Sequence, residues 1–187
     1  MNQPGGLDSD LQPGSNAGGA VTDHDSTGVI VVDHGSRRRE SNDLLLRSVS
    51  AFESSSSYRI VEPAHMELAQ PDIRVAFRRC VERGADRIVV FPWFLAPGRH
   101  WDQDIPQLVA AAAVEFPQIP WLVTAPFGLH PGMLAVVSDR IGSCLAQAAR
   151  FSPSRQPASA WRDTSLPACE FCDVSARCRF RTALEDT

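Results

Sequence analysis

Each apolar run in the middle of this sequence leads into a histidine or an acidic residue, side chains that can do acid–base or metal chemistry. GVIVV delivers Asp33-His34, YRIV delivers His65-Met66-Glu67, RIVVFPWFL delivers Arg99-His100, and WLVTAPF delivers His130. Imidazole and carboxylate together make a donor set that borderline divalent metals such as iron or cobalt accept. A neutral imidazole also takes up a proton at physiological pH. His34 is followed at once by Gly35, which allows a tight turn; a satisfied histidine at a strand end is the bland alternative. Arg37, Arg38 and Arg39 come next. A solvated helix start accounts for part of that triplet. The rest suits an anionic ligand, because cations at a helix N-terminus are otherwise unfavourable.

His65 and Glu67 are two positions apart, which in an extended stretch puts both on one side, able to join His34 and His100. His100 lies in FPWFLAPGRHWDQDIPQL, where Pro97-Gly98 turns the chain out of its run and Arg99 and Trp101 read as pocket rim. Asp102 or Asp104 reads as the cap of the helix that follows. His130, in GLHPGM, is equally a turn residue and a ligand. A second constellation is CEFCDVSARC, with Cys169, Cys172 and Cys178 on a polar tail. Three thiols so spaced suit zinc or an iron–sulfur cluster, and either needs a fourth ligand. Cys80 and Cys144 sit on apolar helix faces, so burial explains both; Cys144, near the end of the last helix, is the better placed to reach the tail.

What must position these groups is an alternation of strands and helices. Strands are expected at residues 28–32, 58–64, 87–95 and 121–125, and helices at about 37–52, 71–83, 105–116 and 131–149. The second helix carries Ile73, Ala76, Phe77, Cys80 and Val81 at spacings of three and four, with Gly84 as its stop. Such alternation gives right-handed crossovers and an α/β three-layer sandwich around a four-stranded parallel sheet. All strand ends then open on one rim, where ligands bind. Residues 1–27 read as a disordered leader, 28–150 as the domain that does the chemistry, and 151–187 as a Ser/Pro linker with the cysteine-containing tail.

Composition narrows the function. The net charge is −4 and the pI about 5.7, which argues against nucleic acid as partner. All eighteen basic residues are arginine, which removes the phosphate-loop lysine and any Schiff-base lysine and favours bidentate carboxylate contacts. No run of about 18 apolar residues is present, so no membrane span is expected. The leader has neither the apolar core of a signal peptide nor the arginines of a transit peptide, so a cytoplasmic location is expected.

The strings DHGSRRRESN, VEPAHMELAQPDI, CVERGADRIVVFPWFLAPGRHWDQDIPQL and APFGLH resemble the small class II chelatases of the CbiX and SirB type, over most of residues 28–145. Those enzymes insert cobalt or iron into sirohydrochlorin, and the plant and cyanobacterial form, with its cysteine-containing tail, is the nearest in pattern. The resemblance implies a half-size, homodimeric chelatase with His34 and His100 at the metal-handling positions. Glu67 is then a supporting ligand or proton acceptor, and Arg37 and Arg99 grip the peripheral carboxylates of sirohydrochlorin. It also tips the tail towards a [2Fe–2S] cluster on Cys169, Cys172 and Cys178 with Cys144 as fourth ligand, zinc being the alternative. A non-catalytic metal or tetrapyrrole carrier would use the same pocket. A histidine phosphohydrolase fits less well, since that class places Arg where this chain has Asp33.

Overall fold

A computed structural model of the protein describes residues 24–150, with side chains to residue 146. Most of the leader and the whole cysteine tail lie outside the described residues. The chain divides into two compact units, one reaching Trp93 and resuming over Gly98–Thr124, the other made of Phe94–Pro97 and the chain from Ala125 onward.

The first unit is built on β1, Thr27–Asp33, whose sequence TGVIVVD is buried from its first residue to Val32. Burial on both faces is what a central parallel strand experiences, and β-branched residues suit it. β1 pairs in parallel with β2 (Ile60–His65) and β3 (Arg87–Pro92), and β3 pairs in parallel with β4 (Trp121–Val123), giving the order β2-β1-β3-β4. The expected four-stranded parallel sheet is therefore present. Connections leave β1 towards one edge and β3 towards the other, so the topological switch point lies between the carboxyl ends of those two strands.

Helix α1, Arg39–Ser55, packs Leu45 and Val49 on Val29, Val31 and Val61, one face of the sheet. Helix α2, Ile73–Glu82, covers the opposite face: a Cβ at Gly28 would lie 2.9 Å from the Cys80 Cβ, so glycine there lets α2 approach. Asp72 caps α2 by accepting the Val75 N–H at 2.8 Å. Helix α3, Ile105–Ala113, lies beside α2, with the Phe77 and Phe116 rings stacked at 5.8 Å and Arg74 and Arg78 paired to Glu115. Within this unit the three layers are α1, the sheet, and α2 with α3. Arg83, just past α2, donates to Glu62 at 2.7 Å, to Glu53 at 2.5 Å, and to the carbonyls of Arg59 and Val61, tying α1, β2 and α2 at the end opposite the strand carboxyl termini. Cys80 is fully buried as expected, and burial, aided by the charge of Glu62, pushes its thiol up to about 12.

Several boundaries differ from the sequence expectation. Helix α1 runs to Ser55, past the expected end near 52, with the Ser54 and Ser55 hydroxyls donating back to the carbonyls of Ser50 and Ala51. β3 stops at Pro92 and β4 at Val123, short of Leu95 and Ala125. The chain there passes into the second unit, where the Phe127 and Gly128 N–H groups donate to the carbonyls of Phe94 and Leu95. That unit also holds α4, Pro131–Arg150. Burial of Cys144 is not what the structure shows: its thiol is exposed, and Leu134, Val137, Ile141 and Leu145 on the same helix are 52–66% exposed. The apolar spacing of α4 marked a face, but that face is not core.

Candidate functional site

The parallel register sets Asp33 opposite His65 and Val32 opposite Pro92, so three strand ends arrive side by side. Beyond the strands the backbone stays zipped. The Met66 N–H donates to the Asp33 carbonyl at 2.9 Å and the Glu67 N–H to the His34 carbonyl at 3.2 Å. Gly35 makes this possible: its φ is +80°, and a Cβ on it would stand 2.1 Å from the Glu67 carbonyl oxygen. His34 and Glu67 therefore leave adjacent strand ends in fixed register, with Nε2 and Oε2 3.9 Å apart and both side chains open to solvent.

His100 comes from the other side of the switch point. After β3 the chain passes through a π-helical turn, His100–Asp104, that leads straight into α3. Short π-helical segments occur often at functional sites. The turn is anchored where the Trp101 indole N–H donates to the Thr124 carbonyl at 2.7 Å. The His100 ring meets the His34 ring edge-on, with 5.3 Å between centroids and 65° between planes. Asp104 Oδ2 lies 2.8 Å from His100 Nδ1. An Nδ1–H donated to that carboxylate fixes the ring and leaves the lone pair on Nε2.

Asp102 or Asp104 was expected as a helix cap, but the Asp104 side chain makes no capping bond. The helix begins before it, through the π-turn, so its carboxylate serves His100 instead. A spacing of four between His100 and Asp104 was the available signal, legible only if the helix is started at His100. His65 also departs from the expectation. It is completely buried, not exposed beside Glu67, because β2 ends at His65 and the chain turns at once through Leu68 with φ 57°. Its Nδ1 lies 2.5 Å from Asp33 Oδ1. Arg99 is 79% exposed with Nε 3.8 Å from Asp104, and Arg37 is exposed. His130 belongs to the second unit, where its Nδ1 accepts the Gly132 N–H as a turn residue opening α4. Cys169, Cys172 and Cys178 lie outside the described residues.

Among the described residues, no three His, Cys, Asp or Glu side chains stand close enough to hold a metal ion. His34, Glu67 and His100 form an open array of two imidazoles and a carboxylate, suited to accepting protons and to donating to a metal in passing.

The CbiX family model matches residues 28–144. The chain is 58% identical over 122 residues to the chloroplastic sirohydrochlorin ferrochelatase of Arabidopsis thaliana, covering 65% of this chain and 54% of that one. It is 40% identical over 81 residues to the sirohydrochlorin cobaltochelatase of Methanocaldococcus jannaschii, covering 43% and 57%. The cobalt complex of the sirohydrochlorin chelatase SirB from Bacillus subtilis subspecies spizizenii aligns with a TM-score of 0.59 at 28% identity, covering 63% of this chain and 50% of that one. The chain spans about half the length of the curated relatives it matches.

Proposed function

We infer the reaction from kinship and geometry together: the chain belongs to the CbiX family, and it inserts cobalt or iron into sirohydrochlorin. The observation that carries this reading is the meeting of His34, Glu67 and His100 at the switch point of the sheet, from three different strand ends. Metal insertion requires a metal offered with open coordination positions and two pyrrole protons removed as it enters. His34 and His100 are the metal-offering groups and Glu67 the supporting ligand or proton acceptor. A closed protein cage would hold the metal back, so an open array serves a group whose metal must leave for the ring. Asp104 keeps the His100 lone pair aimed outward. Arg37 and Arg99, both exposed and next to the histidines in sequence, bind peripheral carboxylates of the substrate in bidentate fashion.

Homodimerisation belongs to the same proposal, since one rim of four strands spans only part of a macrocycle, and so does a cytoplasmic location. No described helix is long and apolar enough to cross a membrane. A [2Fe–2S] cluster on Cys169, Cys172 and Cys178 is a further part; the exposed thiol of Cys144 is what a fourth ligand in that set requires. Thiolates select such clusters or zinc over hard cations.

The test is an anaerobic spectrophotometric assay of purified protein with sirohydrochlorin and either Co2+ or Fe2+. Loss of the free-ring spectrum with multiple turnovers is expected. Stoichiometric binding of metal or ring without turnover would make the protein a carrier.

A further inference from the structure

We propose that the contact between the buried His65 and the part-buried Asp33 is the positioning device of this site, setting the direction in which His34 leaves β1 and its offset from Glu67. This rests on the reading of His34 and Glu67 as working groups. Neither its sequence context nor kinship assigns the pair a role. His65 is 0% exposed, so it cannot touch substrate and can act only through its neighbours. Those neighbours are two of the three segments that carry the site. A single oxygen, Asp33 Oδ1, faces His65 Nδ1 at 2.5 Å and accepts the Gly35 N–H at 2.9 Å. The second of these bonds arches over His34 and closes the turn around it. The His65 backbone in turn donates to the Pro71 carbonyl at 2.8 Å and bridges Asp72, closing the loop of residues 66–71 that presents Glu67. The side-chain pair thus ties the His34 turn to the base of the Glu67 loop, in addition to the backbone bonds beyond the strands.

The other end of the imidazole makes no comparable tie. His65 Nε2 is buried with no hydrogen-bond partner among the described residues. An unpartnered buried acceptor is unfavourable, and an apolar ring of the same shape would fill the space without that cost. What the apolar ring could not do is hold the Asp33 carboxylate in the orientation that also captures Gly35. The pair therefore has the form of an outer carboxylate–imidazole contact that orients a group it does not itself replace, as around metal ligands.

Four variants of the full chain test this: Asp33→Ala and His65→Phe remove the contact, whereas Asp33→Asn keeps an acceptor and His65→Asn keeps a donor near Nδ1. With sirohydrochlorin and Co2+, Asp33→Ala and His65→Phe should lower kcat by about 10- to 100-fold, and the Asn variants should recover most of that loss. KM for sirohydrochlorin should stay within about twofold throughout, since no ring contact is lost. Without sirohydrochlorin, the visible absorption of protein-bound Co2+ should change in Asp33→Ala and His65→Phe and be restored in the Asn variants. Wild-type kcat and cobalt spectra in both disrupting variants would overturn the proposal. So would Asn variants as impaired as the disrupting ones: in Asp33→Asn that would make the carboxylate charge the essential property, and in His65→Asn the imidazole ring itself. If His65→Phe fails to fold, the Asp33 pair decides alone. A wild-type protein that never turns over would sink the chelatase reading instead, and the cobalt spectra would still decide the positioning.

Discussion

Replacing Gly35 by alanine should damage the site and the fold together, by an amount the geometry sets. The new Cβ would stand 2.1 Å from the Glu67 carbonyl oxygen. An ordinary carbon–oxygen contact is about 3.3 Å, so the turn after β1 and the loop after β2 must separate by about 1 Å. The Glu67 N–H to His34 carbonyl bond, already 3.2 Å long, does not survive that displacement. Alanine at φ +80° adds roughly 1–2 kcal/mol of backbone strain. Overpacking adds about 1–3 kcal/mol, for a total of about 2–5 kcal/mol. For a domain of this size that is a fall of about 8–20 °C in Tm. A misplacement of about 1 Å between reacting groups costs on the order of 100-fold in rate. Differential scanning calorimetry and initial-rate chelation measure both. Gly84→Ala supplies the control, since Gly84 has φ +96° with no atom within 4 Å of its missing Cβ, so strain acts there without collision. Gly35→Ala with the melting temperature and rate of Gly84→Ala would refute the reasoning.

His34→Ala and His100→Ala should each fold with a wild-type circular dichroism spectrum, since both rings lie outside the core, and lose at least about 100-fold in metal insertion; wild-type rates in both would remove the proposed site. Asp104→Ala should lower kcat by about 10- to 100-fold by freeing the His100 ring, with little change in KM; a change confined to KM would show that Asp104 meets substrate instead. Cys80, with its thiol pushed up to about 12 by burial, should resist iodoacetamide until denaturant is added, as read by peptide mass mapping. Anaerobically purified protein should be brown and contain labile sulfide that disappears in Cys169→Ser; colourless protein with stoichiometric zinc would recast the tail as a structural clip.

The sheet was legible because continuous β-branched runs such as GVIVV have few other fates, and the rim was legible because parallel strands bring their carboxyl ends together. The convergence of His34, Glu67 and His100 could be read on that basis alone. The contact between Asp33 and His65 could not. It depends on the pairing register of β1 with β2, a property of two strands that neither string contains. The same register hides His65 in the interior while Glu67, two positions later, is exposed, because strand alternation ends at His65. The partnership of Asp104 with His100 was missed for a different reason: Pro97-Gly98 turns the chain out of its run and the helix was started at Ile105, and the π-turn that closes the gap has no distinctive composition. Helix α4 was misjudged because apolar periodicity reports a face without saying what covers it.

The Arg83 clamp has a consequence for how the molecule moves. It gathers α1, β2 and α2 at the end of the sheet away from the histidines, through two carboxylates and two carbonyls. At the histidine end α1 has no capping side chain, and the working groups stand on turns and a π-helical segment. The first unit is thus clamped at its base by side chains, whereas its mouth is held by turns and short-range hydrogen bonds. Amide hydrogens along the first residues of β1 and β2 should exchange through global opening, while those of residues 34–38 and 98–104 exchange through local fluctuation at far lower free energy. A local opening at the mouth would then leave undisturbed the base that holds the strands in register.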